Sequence, residues 1–328
     1  MPDAISPCLL PWPRTPAGVA EWVALEPHAA RQAVRSPAFW RALLDEPALH
    51  VSPRHPGAGP VEAWLTEPAS AHDRSLRHDE ARAHMAAQGH LGWPGLVRAE
   101  RCAALARGVI SLCRQGWDAA FIALCDEVWA LSLHLSQVMS RVLEPSMMFR
   151  RELFAFCVDP SLAAGRPRGV PAHRDRPDSG FGRVDGLALP RHCTCWLALT
   201  EANDANGCMS VVPAAADDAE ALAMPPTESR PRRALPAQPG TLLAWSGQAI
   251  HWGGRYDPAR AQGPRIALAF SMTHAAVPSL AGLAPVEADS LPVLDERLSL
   301  VATLLPWLQP PAPGSAMDVV LRLLGGDR

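Results

Sequence analysis

The segment Pro171-Ala172-His173-Arg174-Asp175 sets an imidazole and a carboxylate two residues apart. On an extended strand, residues i and i+2 face the same way, so His173 and Asp175 can present both groups to one ion. A third ligand must come from elsewhere. The best candidate is His251, in Gly247-Gln248-Ala249-Ile250-His251-Trp252-Gly253, just beyond the strand-like run Thr241–Ser246. Two histidines and one carboxylate form the facial triad of non-haem Fe(II) oxygenases, which leaves coordination positions open. Taken alone, His-x-Asp arises by chance, and His173 alone reads as a surface-loop histidine. Trp252, beside His251, reads equally as a shield for the metal or as core.

A second feature changes that weighting. In Arg265-Ile266-Ala267-Leu268-Ala269-Phe270-Ser271, strand alternation puts Arg265, Ala267, Ala269 and Ser271 on one face. Ile266, Leu268, Phe270 and Met272 fall on the other. One face suits packing against a helix. The other combines small side chains with one guanidinium, leaving room for a ligand and offering a bidentate clamp for a carboxylate. A strand-edge salt bridge would account for the arginine but not for its small face-mates. Arg174, Arg176, Arg183 and Arg191 cluster near the His-x-Asp segment and read either as contacts for an anionic substrate or as solvated loop charges. His192 and His274 do not read as ligands.

Composition removes other chemistry. The 328 residues contain no lysine, so all 30 basic side chains are arginine. Schiff-base catalysis, a Walker-A phosphate loop and a protein-kinase site each need a lysine. The string His-Arg-Asp at 173–175 is therefore not a kinase catalytic loop. A formal net charge of −3 shows no electrostatic footprint for nucleic acid. The eight cysteines form no Cys-x-x-Cys pair, which argues against a zinc knuckle. They read as small core residues of a reduced, cytoplasmic protein. Neither a secretory signal nor a membrane-spanning run is visible.

The elements that must position these residues follow from periodicity. Short proline-broken helices are expected over Pro16–Leu25 and His28–Leu44, with a loop at Val51–Pro60. A polar helix is expected over His72–Ala87, with His72, His78 and His84 on a solvated surface. A strand and turn at Gly89–Val97 precede helices at Arg98–Cys113 and Trp117–Leu143. In the last of these, Phe121, Leu124, Val128, Leu131, Leu135, Val138 and Val142 recur at threes and fours, making one apolar stripe. Beyond residue 150, short strands are expected at Arg151–Val158, Cys193–Leu199, Met209–Val212, Thr241–Ser246 and Arg265–Met272. Strands without intervening helices indicate an antiparallel sandwich or jelly roll. The tail from Leu291 returns to helix, including Met317–Leu324.

Residues from about 85 to 273 resemble the phytanoyl-CoA dioxygenase family of Fe(II)- and 2-oxoglutarate-dependent oxygenases. Four segments carry the resemblance, in order. These are Gly89–Val97 with its following helix, His173-Arg174-Asp175, and Trp196–Met209 with its Asn206-Gly207-Cys208 before Val212-Pro213. The last is Gly240–Trp245 followed by His251 and Arg265. The resemblance implies an α+β protein with a double-stranded β-helix (jelly-roll) core and helices packed outside. It implies a helical N-terminal extension over residues 1–85, an oxygenase domain over 86–275 and a helical tail over 276–328. It implies Fe(II) on His173, Asp175 and His251, with 2-oxoglutarate and O2 as co-substrates and Arg265 on the far carboxylate. Thr194, which points the same way as Trp196, is a candidate hydroxyl contact to the co-substrate. The implied reaction is hydroxylation, or another oxidation, of a C–H bond in a small-molecule, possibly anionic, substrate, with release of succinate and CO2. Halogenases of the superfamily replace the carboxylate by Gly or Ala, so Asp175 favours oxidation. The rival readings are a cupin-type metal enzyme that does not use 2-oxoglutarate and a non-catalytic jelly-roll binding protein.

Overall fold

The computed structural model describes residues 13–54, 64–66, 71–144, 146–214, 231–279, 282–287 and 290–325. Cys8 and most of the Val51–Pro60 loop lie outside them. Three short helices open the chain: α1 (Pro16–Leu25), α2 (Pro27–Val34) and α3 (Pro37–Leu44). Each begins on a proline, whose missing N–H costs nothing in a first turn. The expected helix over His28–Leu44 is therefore two, because Pro37 starts a new one. Helix α4 (Ala71–Gln88) leads to β1 (His90–Trp93), and α5 (Ala99–Arg114) follows. His72 and His84 are exposed as expected. His78 is buried, its ring edge-on to Trp93 at 5.3 Å.

The long helix expected over Trp117–Leu143 is broken. Ala119–Leu124 is a 3-10 turn capped by Asp118, Cys125 is extended, and α6 runs from Asp126 to Val142. A stripe spaced by threes and fours suits both helix types, so the break leaves the stripe facing inward.

Among the described residues, ten strands form three antiparallel sheets. The large sheet has the order β1-β8-β5-β10-β2. Its later members are β2 (Met147–Val158), β5 (His192–Ala198), β8 (Leu242–Ser246) and β10 (Arg265–His274). The small sheet joins β7 (Arg233–Leu235), β6 (Met209–Val211) and β9 (His251–Gly253). A hairpin pairs β3 (Phe181–Val184) with β4 (Leu187–Pro190) around Asp185 and Gly186, both at positive φ. Two helices finish the described chain, α7 (Leu294–Leu308) and α8 (Ala316–Gly325).

The large sheet buries both faces. One face and the surrounding helices enclose a core that runs from Val19 to Leu324 and includes Ile266, Leu268, Phe270 and Met272. The opposite face, with the small sheet, encloses a second cluster that includes Phe156, Trp196, Met209, Trp245, Ala267 and Ala269. The alternation expected of β10 is thus the division between the two cores. Arg297, fully buried, ties α7 to the start of α6 through the Leu124 carbonyl and Asp126, at 2.8 and 2.6 Å. The seven described cysteines are all buried and unbridged. Among the described residues, no helix is long and apolar enough to cross a membrane.

Candidate metal centre

The backbone itself brings two of the expected ligands together. His173 and His251 are antiparallel partners, with N–H···O distances of 3.1 and 3.0 Å in the two directions. Cross-strand partners have neighbouring side chains, and the two imidazole centroids are 4.3 Å apart. Asp175, two residues on, returns to the same side. Its Oδ1 lies 3.1 Å from His173 Nε2 and its Oδ2 lies 3.5 Å from His251 Nε2. One ligand atom from each of the three lies within 4.8 Å of the others.

The surroundings select which nitrogen is offered. His173 Nδ1 faces the Pro171 carbonyl at 2.7 Å, and His251 Nδ1 faces that of Ala249 at 3.1 Å. A carbonyl oxygen only accepts, so each neutral ring carries its proton on Nδ1 and keeps the Nε2 lone pair for a metal. The carboxylate is held as well. Thr194 Oγ1 donates to Asp175 Oδ2 at 2.6 Å and Trp245 Nε1 donates to the same oxygen at 3.2 Å. Thr194 and Trp245 are themselves register partners on β5 and β8, which is why both reach one atom. Burial alone would raise the Asp175 carboxyl, but His251 and His173 beside it hold it well below the usual carboxylate range. Burial opposes charge on His173, but the neighbouring Asp175 carboxylate and the Pro171 carbonyl together outweigh it and raise that imidazole. This set of two Nε2 atoms and one ionised carboxylate, all pointing inward, fits a divalent transition metal.

The three ligands open into a cavity of about 180 Å³. Phe154, Phe156, Val170, Trp196, Met209 and Trp245 form most of its wall, and Arg265 also lines it. Arg265 is 1% exposed, and its Nε and Nη2 have no hydrogen-bond partner in the structure. Nη1 reaches only Met209 Sδ at 3.5 Å, and the guanidinium carbon lies 5.7 Å over the Trp196 ring. Burial without an anion pushes its pKa down to about 10. Two glycines make room for it. A Cβ on Gly169 would stand 2.7 Å from Nη2, and one on Gly253 would stand 2.9 Å away. Either would collide with the guanidinium.

The remaining expected residues sort themselves. Trp252 packs with Val212 and Ile250 and does not line the cavity, so it is core. Arg174 donates to the Gln248 carbonyl, Arg176 to Asp178 and the Pro278 carbonyl, and Arg183 to the Gly186 carbonyl. None of the four clustered arginines lines the cavity. His274 pairs with Glu144 at 3.0 Å. His192 lies outside the triad but on the cavity wall, 2.9 Å from Ser271 Oγ. Sequence reasoning passed over Trp245. Its signal was the alternation Leu243, Trp245 on the same face as Trp196. It also passed over Trp307 and Leu308, which reach the cavity from the end of α7 and carry no local signal.

Comparison with known proteins adds the following. No curated protein sequence matches the chain. Among solved structures, the chain is similar to the non-haem alpha-ketoglutarate-dependent epimerase SnoN from nogalamycin biosynthesis. They share 16% identity over 66% of this chain and 90% of that one, with a TM-score of 0.47. It is similar to the carbocyclase SnoK of the same biosynthesis at 21% identity over 65% and 94%, with a TM-score of 0.46. HygX from Streptomyces hygroscopicus, with nickel and 2-oxoglutarate bound, aligns at 14% identity over 60% and 86%, with a TM-score of 0.48. The family model of phytanoyl-CoA dioxygenase (PhyH) matches residues 121–256, the segment that contributes His173, Asp175 and His251. Over that segment the chain is similar to the phytanoyl-CoA dioxygenase (PhyH) family.

Proposed function

We propose that the chain is an Fe(II)- and 2-oxoglutarate-dependent dioxygenase that hydroxylates an unactivated C–H bond of a small-molecule substrate. The observation that carries this reading is Arg265. A buried guanidinium with no acidic partner is costly to keep. Here it sits in a glycine-lined niche of the same cavity as three convergent metal ligands. A carboxylate arriving from solution would satisfy its free N–H groups bidentately. A small dicarboxylate such as 2-oxoglutarate would meet that guanidinium at one end and a metal on the three ligands at the other, within the one cavity they share.

In this reading His173 and His251 hold the iron through Nε2 and Asp175 through its carboxylate, and Arg265 binds the far carboxylate of 2-oxoglutarate. When bound, iron with 2-oxoglutarate and O2 supplies the oxidation of the substrate C–H bond, with succinate and CO2 as co-products. The protein supplies orientation and dryness. Thr194 acts through Asp175, because its one hydroxyl proton is committed there at 2.6 Å. Trp245 does the same from the neighbouring strand. The aromatic wall keeps bulk water from the ligands.

The reading takes the two sheets as a double-stranded β-helix, with residues 86–275 as the oxygenase domain. Residues 1–85 are then a helical extension and 276–328 a tail that shares its core. A reduced, cytoplasmic setting is in keeping with seven buried, unbridged cysteines.

Anaerobic addition of Fe(II) and 2-oxoglutarate should produce a visible charge-transfer band that His251→Ala removes. Admission of O2 should then release succinate. Absence of both the band and succinate would overturn the proposal. Succinate without the band in a metal-free preparation would overturn the ligand assignment.

A further inference from the structure

The end of α7 closes one side of the cavity. Leu308 packs against the second core, next to Phe154 and Phe156. Its neighbour Trp307 lines the same cavity yet is 61% exposed, one of four exposed large apolar side chains among the described residues and exceeded only by Leu25. Trp307 also borders a second hollow, between α7 and α8, formed with Pro306, Ala302 and Leu321. The indole thus stands at the mouth, with an apolar chamber on one side and an open hollow on the other. An exposed tryptophan beside an aromatic chamber leaves a large flat surface in water that a ligand would cover.

The charges of the region are already spoken for. On the reading above, His173, Asp175 and His251 serve the metal and Arg265 serves the co-substrate. In the outer hollow Asp318 and Arg322 pair with each other at 2.8 Å. Arg174, Arg176 and Arg183 turn to carbonyls and to Asp178, and neither they nor Arg191 line the cavity. What the cavity keeps for a third molecule is aromatic surface and one neutral polar pair, His192 with Ser271.

We propose that Trp307 is the outer platform of the substrate subsite, and that the substrate is an uncharged molecule with a flat, apolar ring face stacked on that indole. This goes beyond the assignment of the oxygenase and rests on it only for the place of the metal and co-substrate. It replaces the expectation of an anionic substrate. Leu308 fixes the helix end, and Trp307 selects for ring surface.

The test uses the full chain, loaded anaerobically with Fe(II) and 2-oxoglutarate, titrated calorimetrically with naphthalene and with naphthoate. The two probes share a ring system and differ in charge. Naphthalene should bind, and Trp307→Ala should weaken it about tenfold, while Trp307→Phe stays within about threefold. Naphthoate should bind at least about tenfold more weakly than naphthalene. The charge-transfer band should be unchanged in both variants, which shows that they fold and load. Undetectable naphthalene binding, equal binding by wild type and Trp307→Ala, or naphthoate binding as well as naphthalene would each overturn the proposal. If the wild type forms no band, the oxygenase reading fails. The dependence of naphthalene binding on Trp307 in the unloaded protein then still decides the subsite.

Discussion

Strand β10 has two sides that obey different rules. Ile266, Leu268, Phe270 and Met272 enter the larger core, where they meet helices and exclude water. Arg265, Ala269 and Ser271 line a cavity on the other side, where the same strand presents little bulk and one unpaired charge. Neighbouring positions therefore differ in what they are selected to do. The core side gains stability from every buried methylene. The cavity side gives stability up, by leaving volume unfilled and a guanidinium unsatisfied. The contrast separates a face that is packed throughout from one that, beside its smaller core, keeps room for a ligand.

Substitutions at adjacent positions can break that contrast or sharpen it. The largest effect is expected at Arg265. In Arg265→Met an apolar chain of similar length replaces an unpartnered charge. Affinity for 2-oxoglutarate, measured by titration of the charge-transfer band, should fall about 30-fold to several thousand-fold. Thermal unfolding of the unloaded protein should show no loss of stability, or a gain of about 1–4 kcal/mol. Three residues along, Leu268→Ala should do the reverse. Denaturant unfolding should show a loss of about 2–5 kcal/mol, with the co-substrate titration of the folded fraction unchanged. If Leu268→Ala altered the titration as strongly as Arg265→Met, the two faces would not be separable.

Acid sharpens the same comparison. His134 of α6 is buried on the helix side with both ring nitrogens unpartnered, and burial pushes its pKa down from 6.5 to about 4. Between those pH values the unfolded chain binds a proton that the folded chain refuses, so stability falls as the pH is lowered through that window. The loss at pH 4 should reach roughly 2–3 kcal/mol. His134→Leu should remove that part of the slope in urea midpoints taken at neutral and acid pH, with no change in co-substrate affinity. The smallest effect is expected at Trp245→Phe, which deletes one donor to Asp175. Metal affinity, by competition with a chelator, should drop about 10- to 100-fold, with little change in unfolding. An unchanged metal affinity would mean that the indole contributes only packing.

β10 and β5 were legible because they are long enough for alternation to repeat. The strands β7 and β9, three residues each, and the β3–β4 hairpin are too short for a period to register and were not expected, whereas β6, equally short, stood out by its apolar residues beside Asn206-Gly207-Cys208. His173, Asp175 and His251 were legible by residue type and spacing, and Arg265 by its small face-mates. The grip of Thr194 and Trp245 on one carboxylate oxygen was not legible. It depends on the register between β5 and β8, which no local pattern encodes. Trp307 was invisible for the same kind of reason, since only tertiary packing carries the end of α7 to the cavity.

The niche around Arg265 has a consequence for the lifetime of the chain. A ligand that binds only the folded form stabilises it by RT ln(1 + [L]/Kd), about 2.7 kcal/mol at a hundredfold excess over Kd. An anion that answers this guanidinium therefore adds to binding and subtracts from unfolding at once. With 2-oxoglutarate as that anion, as proposed, the protein should become harder to digest when the dicarboxylate is plentiful, and pulse proteolysis with and without 2-oxoglutarate tests this. Glycines 169 and 253, where a Cβ would stand 2.7 and 2.9 Å from the guanidinium, leave the space on which that protection would depend.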